Sequence, residues 1–297
     1  MFRQQIGAAL VAALLCTVGC ITGAAARPRA PRADTAGAPL PVEIYAVRYG
    51  TLRDFPVAAL VAGADTTRRI DIALMVWLVR EPGPDGRRRT VLLDAGFYRD
   101  AFVGRWHPAD YRRPDVALAA LGVRPADVTD LIVSHVHWDH LDGADLFPHA
   151  RVWIQRAEYD HHVDAAGRAR DPAIDAVDAA MLAQLRAAGR VTLLEGDSMP
   201  VLPGIVAYTG GRHTYASQYV GVATLHGTVV LASDNAYLYE NLEAHRPIAQ
   251  TLDSASNLAA QARMARLAGD PRRIVPGHDP AVFVRFPKPG HGVARIE

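Results

Sequence analysis

Three histidines and an aspartate fall within the six residues His135-Val136-His137-Trp138-Asp139-His140, directly after the apolar run Leu131-Ile132-Val133. Such a run reads as the end of a buried strand. On extended backbone, residues two apart point the same way, so His135 and His137 can grip one ion together. The chain must then turn, and the adjacent Asp139 and His140 can face a second point. One loop thus offers donors to two neighbouring cations. Imidazole and carboxylate at this density are what a borderline-soft divalent ion such as zinc selects.

The first 26 residues read as an export signal. Arg3 supplies a short positive region, Ile6 to Ile21 is apolar and small, and Ala24-Ala25-Ala26 fits a small-residue cleavage site. A second reading takes Thr17-Val18-Gly19-Cys20 as a lipoprotein box, leaving Cys20 acylated as a lipid anchor. Both predict an exported protein, periplasmic or secreted. The only cysteines, Cys16 and Cys20, lie in this segment, so any metal must be held by histidine and carboxylate alone. Residues 27–41 are rich in proline, arginine and alanine and read as a disordered linker before a domain over 42–297. Net charge is +1 with no long basic run, which argues against a nucleic-acid partner.

Within that domain Val42 to Tyr49 alternates like an edge strand. Ile72 to Val79 and Thr90 to Leu93 read as a hairpin about the turn 82–86. Further strands are expected at Leu131–Ser134, Arg151–Gln155, Val191–Leu194, Ile205–Tyr208, Tyr219–Thr224, Thr228–Ala232 and Arg273–Val275. Helices are expected at Pro114–Leu121 and Ser256–Ala268, with a helical turn at Arg156–Tyr159. Another helix opens at Asp171-Pro172, closes at Gly189, and carries Ile174, Val177, Met181 and Leu185 on one face. This order predicts a layered α/β fold with helices outside two sheets.

Three later strands also run into metal-capable side chains: Ile205–Tyr208 into Gly210-Gly211-Arg212-His213, Val229–Ala232 into Ser233-Asp234, and Ile274-Val275 into Pro276-Gly277-His278. With these residues the chain resembles the metallo-β-lactamase superfamily, and within it the N-acyl homoserine lactonases. Asp234 followed by Tyr237, the stretch Ile154-Gln155-Arg156-Ala157-Glu158-Tyr159, and Glu195-Gly196-Asp197 before Pro203-Gly204-Ile205 are marks of that group. The resemblance covers residues 42–285 and implies an αββα sandwich. It implies His135, His137 and His213 on one metal, Asp139, His140 and His278 on the other, and Asp234 bridging both. Asp94 in Asp94-Ala95-Gly96 matches the superfamily's first motif, a loop-fixing acid. The family's T-P-G-H is here Thr209-Gly210-Gly211-Arg212-His213, one residue longer and without proline.

Two divalent ions, zinc by default, would share a hydroxide that attacks the carbonyl of a small-molecule lactone or ester. Tyr237 would donate to the oxyanion, and the leaving oxygen would be captured by metal or by a proton from Asp139. The same scaffold also serves phosphoesters, phosphotriesters, thioesters and other esters, and an exported metal-binding protein without turnover is a separate class. Trp138 is expected to pack under the metal loop or wall the pocket. His107, His149, His161, His162, His226, His245 and His291 match no motif position, and the adjacent His161 and His162 are expected to face apart. Arg87-Arg88-Arg89 reads as a solvated hairpin end.

Overall fold

In the computed structural model, residues 42–83 and 88–297 are described. The export signal, the linker, the Cys20 anchor, Arg87 and the tip of the 82–86 turn therefore lie outside the described residues. The strands are β1 (Glu43–Pro56), β2 (Arg69–Pro82), β3 (Arg88–Leu93), β4 (Asp130–Ile132), β5 (Arg151–Gln155), β6 (Val191–Leu194), β7 (Met199–Leu202), β8 (Ile205–Thr209), β9 (Gln218–Thr224), β10 (Gly227–Ser233), β11 (Ile274–Pro276) and β12 (Val293–Arg295). The helices are α1 (Asp100–Trp106), α2 (Pro114–Leu118), α3 (Trp138–Leu141), α4 (Arg156–His162), α5 (Ala176–Ala187), α6 (Tyr239–Glu243), α7 (Ser254–Ala268) and α8 (Val282–Arg285).

Two sheets form, in the orders β12-β1-β2-β3-β4-β5-β6 and β11-β10-β9-β8-β7. β2 shows why they stack. Its residues are apolar on both faces, and alternation sends them to two different cores. Ile72, Leu74, Val76 and Leu78 pack with Leu118, Leu141, Ala179 and Leu182 of the helical layer. Ala73, Met75, Trp77 and Val79 pack with Ile205, Ala207, Val220, Val222 and Leu231 of the second sheet. That sheet's outer face, including Val230 and Ala232, is covered by Ala260, Met264 and Ala268 of α7. The result is helix, sheet, sheet and helix in layers, the expected αββα sandwich.

Strand direction then selects one edge. β3, β4, β5 and β6 are mutually parallel. β8 and β10 are each antiparallel to β9, and β11 is parallel to β10. The ends of β3, β4, β8, β10 and β11 therefore deliver Asp94, the His135–His140 loop, His213, Asp234 and His278 to one side.

Several expectations change. β1 is interior rather than an edge strand, because the three-residue β12 pairs beyond it. β7 was not anticipated; it lies at the sheet edge, where Pro200 removes no needed ladder donor. The helix expected from Asp171-Pro172 begins at Ala176 instead. Asp171 Oδ1 accepts from the backbone N–H of Ala173, whereas Asp175 accepts from Val177 N at 2.8 Å and caps the helix. Ile174 is buried ahead of the helix and Val177 is exposed. Arg88 and Arg89 are not merely solvated: they approach Glu43 at 2.8 Å and Glu81 at 3.5 Å.

Candidate metal centre

The seven predicted side chains meet, and their donor atoms sort into two groups. His137 Nδ1 lies 3.0 Å from His135 Nε2 and 2.9 Å from His213 Nε2. Asp234 Oδ2 lies 3.7 Å and 3.3 Å from those two Nε2 atoms. The other Asp234 oxygen, Oδ1, lies 3.2 Å from His140 Nε2 and 3.0 Å from His278 Nε2. Asp139 Oδ2 stands 3.5 Å from His140 Nε2 and 3.7 Å from His278 Nε2, completing the second group. One carboxylate thus turns a separate oxygen to each of two donor clusters.

In four of the five rings the second nitrogen fixes the aim. His140 Nδ1 meets Asp94 Oδ2 at 2.8 Å, His278 Nδ1 meets the Ala73 carbonyl at 3.0 Å, and His213 Nδ1 meets the Gln250 carbonyl at 2.8 Å. A carbonyl can only accept, so His213 and His278, when neutral, carry their proton on Nδ1 and turn the Nε2 lone pair into the cluster. Ser134 Oγ serves His135 Nδ1 at 2.9 Å and accepts from Ser233 Oγ, which also reaches Asp94. Asp94 and Ser233 both hold left-handed backbone, φ +63° and +46°. That costs about 1–3 kcal/mol each and is offset by these bonds.

Burial and neighbouring cationic rings hold His135 well below the ordinary histidine range. Burial likewise lowers His137 and His213. Burial also opposes charge on His140 and His278, but Asp234, Asp139 and, for His140, Asp94 more than reverse it. The donor set fits divalent metal on one further count: His140 Nε2 and Asp234 Oδ1 are buried without a hydrogen-bond partner and face one another across the site. Convergent lone pairs and orphaned polar atoms of this kind call for a cation.

The longer loop before His213 still brings that ring in. A Cβ on Gly210 would fall 2.0 Å from Asn235 Oδ1, and one on Gly211 would fall 2.4 Å from Asn257 Cα, so only glycine permits the approach. Gly211 N donates to Asn235 Oδ1 at 2.7 Å, tying the loop to the residue after Asp234. Residues without an assigned role in the motif reading complete the frame. Glu158, fully buried on α4, accepts from Val136 N (3.2 Å), Thr214 Oγ1 (2.5 Å) and Ala216 N (2.6 Å), clamping the His135–His137 and His213 loops together. Tyr49 OH donates to the Asp139 carbonyl at 3.1 Å. His161 and His162 do not face apart: both turn towards Asp171 as a third donor group, on a cavity that His137 and His213 also line.

A cavity of about 290 Å³ opens over the second donor group. Leu52, Phe55, Leu60, Ile72, Trp106 and Trp138 form its apolar wall, with Asp139, Asp234, Tyr237 and His278 also bordering it. Trp138 stacks on Trp106 at 4.9 Å and 8°, so it walls the cavity as expected. Tyr237 OH lies 3.2 Å from His213 Nδ1. Because that nitrogen's proton goes to Gln250, the Tyr237 hydroxyl proton is left for the cavity.

The metallo-beta-lactamase superfamily model matches residues 75–278. An N-acyl homoserine lactonase of Bacillus cereus is 32% identical over 165 residues, spanning 54% of this chain and 60% of that protein. One from a Bacillus species is 29% identical over 218 residues, 69% of this chain and 82% of its own length. Among solved structures, an N-acyl homoserine lactone hydrolase with N-hexanoyl-L-homoserine bound at its catalytic metal center superposes with TM-score 0.64 at 21% identity, covering 82% of this chain and 94% of that one. With the two sheets, the donor clusters and the family match in agreement, this chain belongs to the metallo-beta-lactamase superfamily and is a metal-dependent hydrolase.

Proposed function

We propose that this chain opens the lactone ring of N-acyl homoserine lactones, using two divalent ions, zinc by the donor chemistry, at His135, His137, His213, Asp139, His140, His278 and the bridging Asp234. The observation that carries the reading is the division of the two Asp234 oxygens between two donor groups beside an apolar cavity. An apolar wall suits an acyl chain.

Two bound ions would supply a water deprotonated near neutral pH and a Lewis acid for the carbonyl oxygen. Burial, with Asp234 and Asp139 close by, pushes the Tyr237 hydroxyl well above the usual tyrosine range, so it stays protonated. It donates to the oxygen that gains charge as the carbonyl carbon is attacked. The farther Asp139 oxygen, Oδ1, takes the proton released in the attack and returns it to the departing ring oxygen. One water is added and one acyl–oxygen bond is broken. Residues 1–26 extend the proposal to an exported enzyme.

Mass spectrometry of acyl homoserine lactones incubated with metal-loaded protein tests this, with an EDTA control. Metal-dependent gain of one water, reversed by recyclisation in acid, is expected. Two bound metals with no gain on these lactones would refute the substrate assignment.

A further inference from the structure

α4 ends in His161-His162, and both rings meet Asp171 from the loop before α5. His162 Nδ1 lies 2.8 Å and His161 Nε2 3.7 Å from the same oxygen, Asp171 Oδ2. One donor atom from each of the three falls within 4.8 Å of the others. Metal–ligand bonds of about 2.0–2.1 Å at tetrahedral angles separate neighbouring donors by about 3.3 Å. The two observed distances bracket that separation.

The far edge of His162 strengthens the case. The ring is buried, Nε2 has no hydrogen-bond partner, and Glu158 Oε1 stands 3.7 Å from it. His162 is thus set between two carboxylates. A neutral imidazole carries one N–H. Pointed at Asp171, it leaves a bare lone pair towards Glu158; pointed at Glu158, it leaves one towards Asp171. A cation shared by Nδ1 and Asp171 satisfies both edges without a second ring proton, because Nε2–H then faces Glu158. A carboxylate behind a ligating imidazole is the common second partner of a metal-bound histidine.

We propose that His161, His162 and Asp171 form a third cation site, distinct from the two-metal centre, that takes a borderline transition ion such as zinc, nickel or copper(II). Two imidazoles and one carboxylate disfavour calcium and magnesium, which take oxygen donors. The His161 ring lies flat on Tyr215 at 3.9 Å and 3°, which holds its orientation, and its side chain is 43% exposed, which leaves room for water ligands. Pro172 and Ala173, the residues after Asp171, line the cavity over the two-metal centre. An ion here pins that stretch of wall to α4.

The test is a count of bound metal, which is independent of what the enzyme hydrolyses. The full chain and its His161→Ala and Asp171→Asn variants are saturated with zinc, freed of loosely held ions and weighed by native mass spectrometry. The unaltered chain is expected to retain one zinc more than either variant. Both variants should keep the zinc of the two-metal centre. His161 is half-exposed, so its truncation leaves the fold intact if Asp171→Asn does not. Equal counts in all chains that fold would overturn the proposal. Loss of more than one zinc in His161→Ala would overturn it too, since the site would not be separate.

Discussion

Replacing Glu158 by alanine should be among the most damaging single changes outside the donor set. The carboxylate is fully buried and accepts three hydrogen bonds from two loops. Thr214 can rotate its hydroxyl to another acceptor, but the backbone N–H groups of Val136 and Ala216 cannot move away. Stranding two buried or half-buried donors at about 1–3 kcal/mol each, plus the lost side-chain packing, gives about 3–5 kcal/mol. A domain of this size loses about 2–4 °C per kcal/mol, so the metal-loaded variant should melt roughly 10 °C lower. Metal affinity should fall as well, by about 10- to 100-fold, because the loops carrying His135, His137 and His213 lose their common anchor. Glu158→Gln keeps one acceptor oxygen and should fall between. Thermal unfolding and chelator competition measure the two effects. A Glu158→Ala variant melting within a degree or so of the parent, with unchanged metal affinity, would refute the clamp.

Tyr237→Phe should lower kcat by about 10- to 1000-fold with little change in KM, and unchanged steady-state kinetics would remove the hydroxyl from the reaction. Asp234→Ala should abolish two-metal binding in native mass spectrometry; a variant that keeps both ions and full activity would refute the bridge. Removing metal with EDTA should lower the melting temperature, and zinc should restore it in a concentration-dependent way. Burial and the neighbouring Asp142 push Asp178 up to about 8, against an ordinary carboxylate value in the unfolded chain. Its contribution to stability is therefore full at acid pH and lost as pH rises through about 8. Denaturant unfolding of Asp178→Asn should show a shallower fall between about pH 4 and 8 than the parent.

What the sequence made legible was the chemistry of strand ends. His135 to His140, His213, Asp234 and His278 each follow an apolar run, and a side chain placed just past a strand needs little else to fix its position. The two-layer plan was equally readable, because β2 is apolar on both faces and must be buried on both. What resisted reading was whatever depends on partners far along the chain. β12 has only three residues, and nothing local marks it as the strand that moves β1 inward. Glu158 sits in the quoted stretch Ile154–Tyr159, but its work is visible only once Val136 and Thr214 are beside it. Asp171 and Asp175 are interchangeable as helix caps by type; the choice between them is made by which backbone N–H each can reach. His161 and His162 were read by the alternation of adjacent residues, and the end of α4 with the 171–175 loop brings them round one oxygen regardless.

Each donor group draws on both sheets. His135 and His137 follow β4 while His213 and Asp234 follow β8 and β10; Asp139 and His140 follow β4 while His278 follows β11. An ion in either group would therefore join the two sheets at their strand ends. The Asp234 carboxylate, with one oxygen in each group, would tie both such staples to the end of β10.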